Sequence, residues 1–387
     1  MNKRKIVLFL IICTITLSAC SVKVFRILSS AKINKEVTFQ KTDYSSPLGF
    51  IILPIEIKGK TYQFLFDTGA QTTIVSQNLA STVGIEAKGK ISTEDSQKKK
   101  KKLTVSLIDT MIFEKIIYND VGVLISDFNE NTFFSCLEID GILGMNVIKL
   151  NNWEVNFENK KLTLYDRNNK VFTHHTSVIE FYRNRNMPFV DLYVNDHVEQ
   201  FLIDTGKNGN EVSISSKLPI QRVEEVFFGY SSLGLFGKSN ADTVKYAFAK
   251  LSDSSGFVQE NVIISQCNKD KKLIGLGFFE ERCNSIYFDF KDNKLYLNEK
   301  DKVLQPTKYP FSALLTDNGT MVVTATNIKY NDLKIGDTIV AVNEIAFDEY
   351  NACNLVYEIW DTRKNDEFIT LSVLRNSRLS TIRLPKE

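Results

Sequence analysis

Two aspartates end apolar segments of the chain, and the same two residues follow each of them. The first stretch reads Phe-Leu-Phe-Asp-Thr-Gly and ends at Gly69, and the second reads Phe-Leu-Ile-Asp-Thr-Gly and ends at Gly206. If Asp67 and Asp204 lie together, they cannot both ionise, and the pair shares a proton. One carboxylate can then deprotonate a water while the other protonates a carbonyl oxygen. The two aspartates therefore predict hydrolysis without a metal ion or a covalent intermediate.

The residues after each aspartate suit such a pair. Thr68 and Thr205 can hydrogen-bond across to the opposite loop and fix the two carboxylates in place. Gly69 and Gly206 leave room for backbone N–H groups to approach the carboxylates. These four residues are predicted to support the aspartates.

The aspartates belong to an internal repeat. Ile55–Gly69 aligns without a gap on Leu192–Gly206, and Gly141–Tyr165 aligns on Ile274–Leu297. Period-two alternation and polar turns dominate both copies, so each is predicted to be a mostly β unit that begins with a hairpin. The units span residues 46–167 and 168–300, and two copies of one unit can pack about a pseudo-twofold axis that brings the aspartates together.

Each unit also has a glycine segment followed by a short predicted helix. The segments are Ile142-Leu143-Gly144 and Gly275-Leu276-Gly277, and the helices are expected near Met145–Leu150 and Phe278–Cys283. A segment that lacks side-chain bulk at one point suits a strand that passes tightly beside the aspartate loop.

Two Asp-Thr-Gly loops, each preceded by a hairpin and followed by an apolar-apolar-Gly strand, resemble the aspartic proteases of the pepsin-like and retropepsin-like kinds. The resemblance covers roughly Ser46 to Lys300. It implies a bilobal double β-barrel, Asp67 and Asp204 as the catalytic pair, no cofactor and no metal. It also implies a peptide or protein substrate that lies extended between the lobes. A flap is expected within Ile85–Thr110, with a counterpart in Gly234–Ser254.

Two residues depart from the family pattern. Ala70 offers no hydroxyl to the dyad, which should raise the pKa values of the dyad and favour activity nearer neutrality. Lys207 stands where the family usually has Ser, Thr or Ala, and a lysine there would favour full ionisation of Asp204. Lys207 therefore leaves open a second interpretation, in which the chain binds peptides in the cleft without cutting them.

The residues 301–387 form a third predicted unit. Leu333–Phe347 resembles the signature of PDZ domains, a helix is expected over Tyr350–Trp360, and Thr370–Arg383 would supply the closing strands. PDZ grooves bind an extended peptide at a sheet edge. The unit is predicted either to recruit a peptide or to act only as a packing module, because no clear carboxylate-binding loop precedes Asn318.

The N-terminus resembles a bacterial lipoprotein signal. Basic residues precede an apolar run, Ile6–Leu17, and Leu17-Ser18-Ala19-Cys20 ends it. The residues 1–20 are predicted to be a signal peptide with Cys20 as the lipidated residue, and residues 21–45 a linker. The resemblance implies a lipid-anchored protein of the bacterial cell envelope, facing the periplasm.

The net charge, the lysine run and the cysteines of the chain limit the other functions that it could have. The chain has 387 residues and a net charge of +2, so no overall field favours nucleic acid. The five lysines Lys98–Lys102 predict a solvated hairpin or, alternatively, a basic rim for acidic substrates or lipid headgroups. An oxidising compartment would permit disulfides, and a pair between Cys267 and Cys283 is conceivable.

Overall fold

The structure of the protein is a computed structural model. It describes residues 23–35, 39–129, 134, 136–168, 175–230, 232–303, 309–316, 318–347, 353 and 367–385. The predicted signal peptide with Cys20 and the helix expected over Tyr350–Trp360 lie outside these residues, apart from residue 353. Within the described residues, no helix has both the length and the apolar character needed to cross a membrane.

The fold is mostly β, as the sequence predicts. The strands of the first unit and of the segment before it are β1 (Lys32–Lys35), β2 (Phe39–Asp43), β3 (Ile52–Ile57), β4 (Lys60–Phe66), β5 (Thr73–Ser76), β6 (Gly89–Glu94), β7 (Lys100–Phe113), β8 (Ile116–Ser126), β9 (Gly141–Leu143), β10 (Asn152–Asn156) and β11 (Lys161–Tyr165). The helices here are residues 23–28, the 3-10 helix Pro47–Gly49, α1 (Gln77–Val83) and α2 (Met145–Ile148).

The second unit repeats this arrangement. Its elements are β12 (Ser177–Glu180), β13 (Tyr182–Asn184), β14 (Met187–Val194), β15 (His197–Asp204), β16 (Val212–Ile214), β17 (Glu225–Gly229), β18 (Leu233–Gly234), β19 (Gly237–Lys238), β20 (Asp242–Ser252), β21 (Val258–Gln266), β22 (Leu273–Gly275), α3 (Leu276–Arg282), β23 (Cys283–Asp289) and β24 (Lys294–Glu299).

The C-terminal unit contributes six described strands and its own core. The strands are β25 (Phe311–Leu315), β26 (Met321–Asn327), β27 (Thr338–Val342), β28 (Ile345–Ala346), β29 (Phe368–Arg375) and β30 (Arg378–Pro385). Its buried core is formed by residues such as Val323, Leu371 and Val373, and is separate from the core that the two larger units share.

The described residues form three large sheets. The first unit forms an eight-stranded sheet in the order β1-β8-β5-β9-β4-β3-β7-β6. The second unit and the C-terminal unit share a fourteen-stranded sheet, because β17 pairs with β26. A six-stranded sheet in the order β12-β24-β23-β10-β11-β2 joins the two larger units, with β10 and β23 antiparallel at its centre.

The segment predicted as a linker contributes strands of its own. β1 pairs with β8, and β2 pairs with β11 along five consecutive residue pairs, Phe39–Asp43 against Lys161–Tyr165. The residues 32–35 and 39–43 are therefore part of the folded body and not a linker. They were missed because an edge strand is specified by the partner it joins as much as by its own pattern.

The disulfide considered from the sequence is wrong. Cys267 and Cys283 are both free thiols, half-buried and buried respectively. The bond instead joins Cys136 to Cys353, which are 217 residues apart in the chain. It ties the first unit to the C-terminal unit, a pairing that spacing in the sequence could not reveal.

Candidate active site

The two aspartates stand at equivalent points of the two larger units. Asp67 follows β4, and its N–H donates to Leu143 O of β9 at 3.1 Å. Asp204 ends β15 and lies beside Gly275 of β22. In both units the strand before the aspartate runs parallel to the glycine strand. A hairpin and a returning strand thus position each carboxyl group.

The two threonines lock the loops together, as the sequence predicts. Thr68 Oγ1 donates to Ile203 O at 2.7 Å, and Thr205 Oγ1 donates to Phe66 O at 2.8 Å. Each hydroxyl also accepts a backbone N–H from the other threonine, at 2.9 and 3.0 Å. Both side chains are fully buried. This reciprocal set of four hydrogen bonds fixes the distance between the two loops.

The glycines serve a purpose that the sequence analysis missed. Gly69 N–H donates to Asp67 Oδ1 at 2.7 Å, and Gly206 N–H donates to Asp204 Oδ1 at 3.0 Å, which is the expected approach to the carboxylates. In addition, a Cβ on Gly69 would lie 2.5 Å from Cγ of Asp204, and a Cβ on Gly206 would lie 2.6 Å from Cγ of Asp67. Each glycine therefore makes space for the carboxyl group of the opposite unit.

The electrostatics of the pair are asymmetric. Burial, together with the neighbouring Asp204 carboxylate, raises the pKa of Asp67 well above its usual range. Burial also raises the pKa of Asp204, but a hydrogen bond from Asp67 and the ammonium groups of Lys207 and Lys271 oppose that rise. The two ammonium groups favour the ionised form of Asp204, and with it the shared proton on Asp67.

Lys207 does not sit on the aspartates. Its Nζ lies 3.0 Å from Glu211 Oε1 and also donates to Glu211 O. The loop over residues 207–211 thus turns back on itself, and Glu211 supplies the counter-charge. Lys207 acts on Asp204 as a nearby positive charge and does not block the carboxyl groups.

The glycine strand of the second unit differs from the prediction. Met145 N–H donates to Ala70 O at 2.8 Å, and Leu276 N–H donates to Lys207 O at 2.7 Å, so Met145 and Leu276 are equivalent. Gly144 therefore corresponds to Gly275, and the strand is Leu273-Ile274-Gly275 and not Gly275-Leu276-Gly277. The two copies return to the predicted alignment after the helix, where the offset between them has grown from 131 to 133 residues, and α3 is the longer of the two helices.

Two flaps meet above the aspartates. The first flap is the hairpin β6–β7 with the turn 95–99, within the predicted range. The second is the hairpin β17–β20, which begins at Glu225, before the predicted range, and the described residues of its tip are 230 and 232–241. Asp95 Oδ2 accepts the N–H of Phe236 at 2.9 Å, and Gln97 Nε2 donates to Ser232 Oγ at 3.0 Å. The flaps close over a cavity of about 1840 Å³ that is lined by both aspartates.

The cavity has walls from all three units. Besides the aspartates and the flaps, its lining includes Lys271 and the strand β25 of the C-terminal unit. Within the described part of the chain, no cluster of three or more His, Cys, Asp or Glu side chains could hold a metal ion.

Comparison with known proteins gives a match to part of the chain. Residues 53–147, which include Asp67 but not Asp204, match the family model described as aspartyl protease. The solved structures that match include a retropepsin-like aspartic protease from Rickettsia conorii, which is 13% identical, with a TM-score of 0.26 over 33% of this chain and 92% of that one. No curated protein matches the chain.

Proposed function

We propose that this chain is an aspartic endopeptidase that hydrolyses peptide bonds with a water activated by Asp67 and Asp204. The observation that carries the proposal is the locked pair itself. Two half-buried carboxyl groups are held together by the reciprocal threonine bonds, and only glycine fits opposite each of them. A pair that shares one proton supplies a base and an acid at the same pH.

The asymmetry of the pair gives each aspartate a role. Asp204, ionised, takes a proton from a water whose oxygen attacks the peptide carbonyl carbon. Asp67 donates its proton to the carbonyl oxygen, so that a neutral tetrahedral gem-diol forms. The proton on Asp204 then passes to the amide nitrogen as the C–N bond breaks, and Asp67 takes back a proton from a gem-diol hydroxyl as the new carboxyl group forms. The pair ends as it began.

The alternative proposal is a non-catalytic peptide-binding protein with the same fold. Lys207 is the feature that favours it, since a positive charge beside Asp204 promotes loss of the shared proton. The ion pair of Lys207 with Glu211 weighs against it, because that pair offsets much of the charge.

Peptide cleavage by the soluble form, residues 21–387, tests the two proposals. We expect cleavage of a peptide library with an optimum nearer neutrality than that of pepsin-like enzymes, because Ala70 offers no hydroxyl. Asp67→Asn and Asp204→Asn should each abolish it, while the exposed hairpin change Asp196→Asn should not. Absence of cleavage by folded protein at every pH would establish the binding protein instead, and a sharply acidic optimum would contradict the role given to Ala70.

We also propose that the C-terminal unit is a PDZ-like module that holds part of the substrate. Among the strands that the structure describes, β25 pairs only with β26, and β25 lines the same cavity as the aspartates. An extended peptide can add to such an edge. We expect the inactive Asp67→Asn chain to bind a peptide more tightly when the peptide is lengthened at one of its two ends, and not when it is lengthened at the other. Equal affinity for short and long peptides would instead indicate that the C-terminal unit is only a packing module.

The membrane anchor is likewise a proposal. Cys20 follows an apolar segment and small residues, as in lipoprotein signals. Metabolic labelling with a fatty-acid analogue should mark the full chain expressed in a bacterium, and Cys20→Ser should remove the label and release the protein from membranes. Labelling that persists in the variant would disprove lipidation at Cys20.

A further inference from the structure

Lys271 occupies an unusual position in the catalytic cavity. It lies in the loop between β21 and β22, two residues before the strand that runs beside Asp204. Its side chain is partly buried and lines the cavity. Its Nζ donates to Oε1 of Gln97, in the turn of the first flap, at 2.9 Å. Lys271 therefore reaches from the base of the site to the flap that covers it.

Lys271 differs from Lys207 and Lys272 in having no carboxylate within ion-pair distance. Lys207 is 3.0 Å from a carboxylate oxygen of Glu211, and Lys272 is 3.3 Å from one of Glu199. Among the described residues, no carboxylate oxygen lies within 4.0 Å of Lys271 Nζ, and its hydrogen-bond partner is a neutral amide. Lys269 adds to the positive charge, because its Nζ reaches the same amide oxygen at 3.5 Å.

Asp95, the acidic residue in the turn of the first flap, already accepts hydrogen bonds from backbone groups. Asp95 Oδ1 accepts the N–H groups of Gln97 and Lys99, both at 2.9 Å, and Oδ2 accepts the N–H of Phe236. Asp95 thus shapes the flap turn and leaves the ammonium unpaired. Burial and the neighbouring Lys269 lower the pKa of Lys271 to about 8, so the ammonium form still prevails at neutral pH. A half-buried ammonium whose acidic neighbours, Asp95 and Asp204, lie beyond ion-pair distance is only partly compensated, and an anion bound in direct contact would complete the compensation.

We infer that Lys271 is a specificity-determining residue that binds an acidic side chain of the substrate next to the bond that is cut. The inference rests on the proposed function and narrows its substrate class to peptides with Asp or Glu close to the scissile bond. The position of Lys271 suits this role. It lies beside the strand that borders Asp204, and the substrate residues next to the reacting carbonyl must bind there. The neutral partner Gln97 can be exchanged for a carboxylate when a substrate enters. A hydrogen bond between charged groups stabilises more than a neutral one.

Matched peptides test the assignment. Each pair has one sequence and differs only by Glu or Gln at a single position near the cleaved bond, and kcat/KM is measured for both members. At one position, the soluble form should prefer Glu over Gln by about tenfold, the ratio expected from roughly 1.4 kcal/mol of charge-assisted binding. Lys271→Gln should bring that ratio close to one. A ratio is used because Lys271 also influences the ionisation of Asp204, and that effect is common to both peptides.

Lys272→Gln is the matched control. It makes the same change of charge one residue away, in a side chain that is paired with Glu199, and it should preserve the preference for Glu. Lys271→Glu should go further and reverse the preference in favour of a peptide with Lys at that position. Thermal unfolding of each variant checks that the fold is retained.

Two outcomes would overturn the inference while leaving the proposed function standing. One is equal cleavage of Glu and Gln peptides at every position, and the other is a preference for Glu that survives Lys271→Gln. Failure to cleave any peptide is a different result, because it would refute the endopeptidase proposal and the specificity assignment together.

Discussion

Gly69 and Gly206 show how closely the two halves of the site depend on each other. Neither glycine has a backbone angle that excludes other residues. Each is required because a methyl group would collide with the carboxyl group of the opposite unit. A single residue of one unit thus sets the position of the carboxyl group in the other.

Gly206→Ala should therefore reduce kcat/KM by about 100-fold, since displacement of a reacting group by about 1 Å costs that much. The added Cβ would lie 2.6 Å from Cγ of Asp67 and force that side chain to move. Peptide cleavage measures the loss. Gly89→Ala is the control, because its Cβ would meet only a methyl group of Val24, at 3.1 Å. Full activity of Gly206→Ala would show that the carboxyl groups tolerate a displacement.

The proton on Asp67 should also be visible in stability. Burial raises its folded-state pKa, so the folded chain holds a proton that the unfolded chain has lost, and stability falls as pH rises from about 4 towards the folded pKa. Asp67→Asn cannot ionise and avoids this loss. Its melting temperature relative to wild type should rise between pH 4 and pH 7, by about 2 °C or more. A constant difference across this range would show that Asp67 is not the protonated partner.

At the level of single residues, the sequence predicted which residue types form the site but not their charge states. The aspartates, threonines and glycines could be predicted because the same short pattern occurs twice. The location of the proton could not, because it depends on the positions of Lys207 and Lys271. The sequence marks Lys207 through its departure from the family pattern, whereas nothing marks Lys271.

The two loops that carry the aspartates are joined by a small set of buried hydrogen bonds. The loops after β4 and β15 are joined by the four hydrogen bonds of Thr68 and Thr205. These bonds are buried, so loss of a partner leaves a polar group without water to replace it.

Thr68→Val should lower the free energy of unfolding by roughly 2–4 kcal/mol, because it leaves Ile203 O and Thr205 N–H without their partner. Thr68→Ser keeps the hydroxyl and should cost about 1 kcal/mol, the contribution of one buried methyl group. Denaturant unfolding distinguishes the two. Equal destabilisation by both variants would mean that packing of the methyl group, and not the hydrogen bonds, holds the loops.

Element prediction succeeded where local pattern decided the structure. The hairpins around Lys58 and Asn195 form where polar turns separate alternating strands, and both residues adopt the positive φ of tight turns. It failed at the second glycine strand, where Gly275-Leu276-Gly277 resembles Ile142-Leu143-Gly144 in letters but belongs mostly to α3. The lengthened helix shifts the register, and only contacts with Lys207 reveal the shift.

For the molecule as a whole, connections between units were the least predictable feature. The disulfide joins residues that are 217 positions apart, and β17 meets β26 across a domain boundary. Such contacts depend on how the folded units pack against one another, and the local sequence pattern carries no information about that packing.

The disulfide assignment predicts a thiol count. The soluble form has four cysteines, of which Cys267 and Cys283 are free. Unfolded without reductant, it should react with two equivalents of a thiol reagent, and with four after reduction. Cys283→Ser should give one, and Cys353→Ser should give three. One equivalent in Cys353→Ser would show that Cys136 pairs with a different cysteine.

The junction of β17 with β26 has a consequence for the chain without its C-terminal unit. In the whole protein, β26 covers one edge of the second flap, beside the exposed ring of Phe228. Truncation before residue 309 would lay bare a hydrogen-bonding edge next to aromatic surface, which is the feature through which β proteins aggregate. We therefore expect the first and second units alone to self-associate through β17, an association that the C-terminal unit prevents in the whole protein.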